Sequence, residues 1–156
     1  MTCGVMLETI QRNERADFLT MAEQHFREIN PKFVPAPDWQ HSYFEKIRQN
    51  PGVRLRWIVV DGRHAGFIVS GVEEHRFLPR KSGAIYELYV VPELRKKGIA
   101  RACAQQVIDE LRTQAISKIQ LEVWEGNLAA ARLWQSLGFE KVTERFVLSG
   151  PSGTTE

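Results

Sequence analysis

The stretch from residue 84 to residue 124 constrains the fold most. Residues 84–91 (AIYELYVV) are the strongest strand pattern in the chain, a dense run of aromatic and branched side chains. Pro92 ends it, since a proline has no N–H to give to a ladder. From residue 98 to residue 112 the apolar positions Ala100, Cys103, Ala104, Val107, Ile108 and Leu111 recur every three or four residues, the period of an amphipathic helix. Residues 118–124 (KIQLEVW) again read as a strand. A strand, a helix and a strand in this order imply two parallel neighbours joined by a right-handed crossover.

The flanking sequence supplies the rest of the sheet. Residues 5–10 read as a first strand, and Asn13 as the cap of a helix with Phe18, Ala22, Phe26 and Ile29 on one face. The Pro-rich stretch from Pro31 to Pro37 is a loop, and Asp38 caps a second helix that turns Phe44 and Ile47 inward. Residues 55–60 and 66–72 are joined by Asp61-Gly62, the signature of a tight antiparallel hairpin. After residue 124, Asn127 caps a helix carrying Leu128, Ala131, Leu133, Trp134 and Leu137, and Gly138 stands where a left-handed helix stop belongs. Residues 139–148 read as a last strand or hairpin, and the small polar residues 149–156 as a disordered tail. The expected order is β, α, α, β, β, β, α, β, α, β, an α/β (α+β) chain with a mixed sheet. At 156 residues, one domain over residues 1–148 is the expectation.

Charge narrows the partners. Lys and Arg number 21 against 19 Asp and Glu, a formal charge of +2, without the broad basic excess of a nucleic-acid-binding domain. That small excess is local: Arg95, Lys96, Lys97 and Arg101 crowd one turn with Glu93 as the one acid beside them. No apolar run approaches the ~18 residues of a membrane span, and no leader pattern is visible at the N-terminus. Cys3 and Cys103 make no disulfide framework, so a reducing cytoplasm is the expected location. His25, His41, His64 and His75 are scattered without ligand spacing, so no metal site is expected.

The basic turn is where chemistry enters. The first amides of a helix lack internal partners, and the dipole makes that end electropositive, so a turn such as Arg95-Lys96-Lys97-Gly98-Ile99-Ala100 between strand and helix suits a phosphate. Gly98 permits close backbone approach, and Ala100 is too small to block it. Neither Gly-Lys-Ser/Thr nor Gly-x-Gly-x-x-Gly is present. Taken alone, the turn is equally a solvated helix start.

A second pattern, Asn127, Ala130, Leu133, Trp134, Gly138 and Phe139, comes after the strand at 118–124. With Arg95 to Ala100 as Arg-x-x-Gly-x-Ala, the chain resembles the GNAT superfamily of acyl-CoA-dependent N-acyltransferases over nearly its whole length. The resemblance implies a central mixed β-sheet flanked by about four helices, with one parallel strand pair splayed to admit CoA. It also implies an N-acetyltransferase that uses acetyl-CoA as co-substrate, with direct attack of a small-molecule or peptide amine in a ternary complex. By resemblance, the amides from Arg95 through Lys96, Lys97, Gly98, Ile99 and Ala100 cradle the pyrophosphate, with Arg101 a side-chain neighbour. Leu88, Tyr89 and Val90 offer backbone groups to the pantetheine arm, and Asn127 contacts the same region, although a plain cap explains Asn127 equally. Such contacts are mostly backbone ones, so a bulky residue at Gly98 is expected to block binding and substitution of Lys96 to matter little.

An amine of pKa ~10.4 is neutral in only about one molecule in 2,500 at pH 7, so a base or water relay is required. Glu87 interrupts an apolar central strand and occupies the position of the family's catalytic glutamate; a structural ion pair is the rival account. Glu122, on the neighbouring strand, is either an acceptor-orienting carboxylate or a surface one. Trp134 stands among the cofactor-contacting positions where the family commonly has a tyrosine that protonates the leaving thiolate. An indole N–H donates a hydrogen bond but is no acid in water. Either the thiolate leaves unaided or Tyr89, Tyr86 or Tyr43 substitutes. Trp39, Trp57, Phe33 and Tyr43 are candidates for an acceptor wall, or simply core, and Cys103 reads as core. An acyl-CoA-binding module without turnover, or an O-acyltransferase, are the alternative functions. A homodimer suits the fold, though no sequence feature demands it.

Overall fold

The computed structural model describes residues 4–151; Cys3 and residues 152–156 of the polar tail lie outside them. The elements are β1 (Val5–Thr9), α1 (Arg15–Ile29), α2 (Trp39–Gln49), β2 (Val53–Val60), β3 (Arg63–Glu74), β4 (Lys81–Val90), α3 (Ile99–Thr113), β5 (Ile119–Gln120) and α4 (Leu128–Ser136). The entry to α1 differs from the expected Asn13 cap: Asn13 lies inside a 3-10 turn, and the Glu14 carboxylate accepts the Gln11 N–H at 2.9 Å. At the β2–β3 hairpin Asp61 and Gly62 both take positive φ, 50° and 73°, as a tight turn matching the strand twist requires.

The strands lie in the order β1-β2-β3-β4-β5, antiparallel throughout except for the parallel pair β4/β5. Alternation gives the sheet two buried faces. On one, Ile58, Ile68, Ile85 and Val90 pack against Ile99, Cys103, Val107 and Leu111 of α3 and Trp134 of α4. On the other, Trp57, Phe67, Val69 and Tyr89 pack against Phe18, Leu19 and Ala22 of α1 and Phe44 of α2. Phe18 is the hub of that second face, touching Phe67, Phe44, Tyr43 and Trp57 with ring centroids 5.0 to 6.4 Å apart. Each fully buried ring or aliphatic side chain contributes about 1.5–3 kcal/mol.

β4 departs from a regular strand in two ways. Val69 pairs with Glu87 but Ser70 pairs with Ile85, so Tyr86 is an extra residue, a β-bulge. In a regular strand Ile85 and Glu87 would share a face. The bulge instead lets Ile85 join the α3 core while Glu87 meets α1. The pairing to β5 is also brief: only Gly83↔Ile119 and Ala84↔Gln120.

Two expectations are thereby corrected. The strand expected over residues 118–124 is paired at Ile119–Gln120 alone, because the bulge bends β4 away just beyond Ala84. The last strand or hairpin over residues 139–148 is not formed. A strand needs a partner for its backbone groups, and two-residue β5 offers no edge; Val142, Phe146 and Leu148 are 88%, 88% and 98% exposed.

One ion pair ties sheet to helix. Arg56 of β2 is buried and donates from Nη1 and Nη2 to the two carboxylate oxygens of Glu110 on α3, at 3.0 and 2.9 Å. Exposed Arg54 adds a longer contact of 3.3 Å to the same carboxylate. Replacing Glu110 by Ala leaves a buried guanidinium without a counter-charge, and the expected loss is about 3 kcal/mol. Arg54→Ala is expected to stay within about 0.5 kcal/mol. Urea unfolding of both variants, read as a midpoint shift at constant slope, checks the contrast.

Candidate active site

At the end of β4 the chain passes through a 3-10 turn (Pro92–Leu94) into the basic turn, with Lys96 at φ 62° and Gly98 at φ 81°. The first bond of α3 runs from the Ala102 N–H to Gly98 O at 3.0 Å. The amides of Ile99, Ala100 and Arg101 therefore have no intrahelical acceptor. A Cβ added at Gly98 meets no atom within 4 Å, so the positive φ, and not crowding by the protein, is what favours glycine there. Beside the turn lies a cavity of about 190 Å³ lined by Val90, Leu94, Arg95, Lys96, Gly98, Ile99, Ala100, Arg101 and Leu133. Free amides, a positive-φ glycine and excess positive charge together fit a pyrophosphate.

Arg95 has a different place from the lysines beside it. Its amide donates to Pro92 O at 3.2 Å, its Nε to Val90 O at 2.7 Å and its Nη2 to both Glu28 oxygens at 2.9 and 2.8 Å. It also stacks over the Tyr89 ring, 5.3 Å from the centroid. Arg95 thus walls the cradle by binding the turn to β4 and α1. Arg101 donates to Ser136 Oγ at 2.5 Å and so reaches the end of α4. Lys97 is exposed and lines no part of the cavity. Past Ala84 the outer edge of β4 has no strand beside it among the described residues, so the backbone of Leu88 is open there, whereas the Tyr89 carbonyl faces Gly66 of β3 and the Val90 carbonyl already accepts from Arg95.

In the middle of β4, Glu87 meets a histidine that no sequence motif singles out. The Nε2–H of His25 on α1 donates to Glu87 Oε2 at 2.5 Å across 62 positions of sequence. Sequence separation hides this pair; the only available signal is that His25 falls on the buried stripe of α1, between Ala22 and Phe26. Glu87 retains 26% side-chain exposure, and its Oε1 makes no hydrogen bond among the described residues.

The neighbouring wall is aromatic. Trp39 stacks on Tyr43 at 5.5 Å, and Phe26 and Phe33 close the group, all four half-buried. Trp57 is instead fully buried and stacked on His64 at 4.1 Å, and belongs to the core. Burial pushes the Tyr43 phenol well above its ordinary range, and the Glu87 charge pushes it further. Desolvation, then the hydrogen bond it donates to Glu73 at 2.5 Å, raises Tyr86 likewise. Tyr89 is raised by burial and then by Glu28, partly offset by Arg95. None of the three is thereby made a readier acid.

Trp134 is buried against Phe139, with ring centroids 5.5 Å apart, in the α3 core; Leu133 of the same helix lines the cavity. Asn127 caps α4, its Oδ1 accepting the Ala130 N–H at 3.2 Å. Glu122 lies beyond β5, exposed and without a contact to Glu87. Cys103 is buried, and its thiol is pushed up to about 12 by desolvation. Among the described residues no group of three His, Cys, Asp or Glu is placed to hold a metal, and no helix is long and apolar enough to cross a membrane.

Residues 19–139 match the profile of the Acetyltransferase (GNAT) family. The [ribosomal protein bS18]-alanine N-acetyltransferase of Salmonella typhimurium is 31% identical over 88 residues, 56% of this chain and 55% of that protein. The mycothiol acetyltransferase of Thermobispora bispora is 42% identical over 127 residues, 80% of this chain and 37% of that one. The chain thus spans about half the length of the first and little more than a third of the second. Among solved structures, a ribosomal-protein-alanine N-acetyltransferase from Brucella melitensis superposes with a TM-score of 0.71 at 17% identity, covering 94% of this chain and 100% of that one. A predicted acetyltransferase with acetyl-CoA from Clostridium acetobutylicum gives 0.74 at 14% identity, covering 93% and 96%.

The three tyrosines of the chain, Tyr43, Tyr86 and Tyr89, all have raised folded-state values. Their protonated forms therefore favour the folded state fully below the unfolded value of about 10, and that contribution is lost as pH rises past it. The near-ultraviolet tyrosinate absorbance of the native protein is expected to be less than half developed at pH ~10, where a free tyrosine is half ionised, and that of the urea-unfolded chain to be about half developed there.

Proposed function

The chain belongs to the GNAT acetyltransferase family, and from that premise we propose that it moves the acetyl group of acetyl-CoA to an amine by direct attack in a ternary complex. The observation that carries the reading is the convergence at β4. Its open edge leads into the amide cradle at one end, and Glu87 faces the aromatic wall from its middle.

Acetyl-CoA, when bound, supplies an activated thioester. The amides of Ile99, Ala100 and Arg101 and the positive turn hold its pyrophosphate, with Gly98 leaving room for the approach, and Leu88 offers a backbone partner to the pantetheine arm. Glu87 takes the proton of the incoming ammonium at Oε1, directly or through a water, because only the neutral amine attacks. The acceptor is a small molecule or a peptide, seated against Phe26, Phe33, Trp39 and Tyr43. The unit is residues 1–148, and the place of work is the cytoplasm.

Trp134 favours a second reading, an acyl-CoA-binding module without turnover. With Trp134 in the core and Tyr43, Tyr86 and Tyr89 all raised, no tyrosine is prepared to protonate the thiolate. A thiol of reference pKa ~8.5 leaves far more readily than a phenol, so catalysis does not require that acid.

Calorimetry with acetyl-CoA and a thiol-release assay over spermidine, simple amines and a peptide with an N-terminal alanine separate the two readings. Binding with turnover of at least one amine is expected; binding without turnover supports the module, and no binding sinks both. Glu87→Gln is expected to lower kcat/KM about 10²–10⁴-fold with acetyl-CoA affinity unchanged. Gly98→Val is expected to weaken that affinity at least tenfold, since φ is positive there. Lys96→Ala is expected to change it less than threefold, because amides and not this ammonium make the contact.

A further inference from the structure

The His25–Glu87 contact is too specific to be ordinary packing. His25 is 9% exposed, its ring enclosed by Phe26, Phe67 and Tyr89 with centroids 5.3, 5.7 and 5.4 Å away. Its one hydrogen bond among the described residues goes to a carboxylate on the opposite element. A polar ring buried among aromatics needs that partner. In turn the carboxylate gains what a lone side chain on a strand lacks, a fixed orientation, with Oε2 held by α1 and Oε1 left without a hydrogen-bond partner among the described residues.

We propose that His25 is the positioning residue of Glu87, holding Oε2 so that Oε1 is left for the amine; this rests on the reading of Glu87 as the base. The proton balance is simple. The N–H bond of the acceptor ammonium breaks and its electron pair stays on nitrogen for the attack. The proton passes to Glu87 Oε1, while the Nε2–H of His25 stays on Oε2 throughout. The proton returns to water through the exposed side of Glu87.

The other ionisable groups around the pair are few. α2 presents Tyr43, and β4 presents Tyr89, whose hydroxyl donates to Gln24 of α1 at 3.4 Å. Glu28, the next turn of α1, is already paired with Arg95, and β3 contributes the apolar side chains of Phe67 and Val69.

Two measurements on the full chain test this. The first needs no acceptor: the ring nitrogens of His25 are read by NMR in the wild type. Nε2 is expected to carry the proton bonded to Glu87, and a ring with that nitrogen unprotonated would overturn the proposal. The second compares His25→Gln, which keeps a donor, with His25→Leu, which keeps none, on the amine that the wild type turns over. Acetyl-CoA affinity is expected to hold, with kcat/KM falling about tenfold for Leu and clearly less for Gln. Wild-type kcat/KM in His25→Leu alongside an inactive Glu87→Gln would make His25 mere packing and leave Glu87 as the base. Full turnover by Glu87→Gln would instead remove the Glu87 reading itself.

Discussion

Side chains on a strand alternate, so Ile85 can enter the core under α3 while Glu87 faces α1 only if one residue is inserted between their pairings. Tyr86 is that residue. The insertion does two things at once. It turns a carboxylate out of the α3 core toward the aromatic face, and it bends β4 off the line of β5, so that pairing stops after Ala84 and Gln120. The open edge, the cradle beyond it and the carboxylate beside it all depend on one residue of register.

Much of this is legible in the residues. The strand–turn–helix from residue 84 to residue 112, the hairpin at Asp61-Gly62, the Asn127 cap and the left-handed stop at Gly138 are local devices, fixed by chemistry within a few positions. What escapes is non-local. Residues 118–124 and 139–148 carry strand composition, but a strand is a pairing and not a composition, and the bulge removes the partner. His25 and Glu87 are 62 positions apart, and neither pattern announces the other. Arg95 looks like one of four phosphate-seeking cations, whereas Glu28, in α1, engages it.

The two buried faces carry different kinds of order. Against α3 the packing is aliphatic, with the Arg56–Glu110 pair fixing how helix and sheet meet. Against α1 and α2 it is aromatic, with Phe18 at the centre and a half-buried group of Phe26, Phe33, Trp39 and Tyr43 at the rim. The first face braces the helix whose start forms the cradle. The second encloses His25 in rings beside the carboxylate and presents flat apolar surface at its rim.

Arg95 gives the arrangement a mechanical property of its own. Its guanidinium joins the turn and the Val90 carbonyl to Glu28, and Glu28 stands three residues from His25 on the same helix. A displacement of the turn therefore travels through one side chain and less than one helical turn before it reaches the hydrogen bond on Glu87. The basic turn at one end of β4 and the carboxylate at its middle are thus joined by a continuous path of contacts, Arg95 to Glu28 to one turn of α1 to His25.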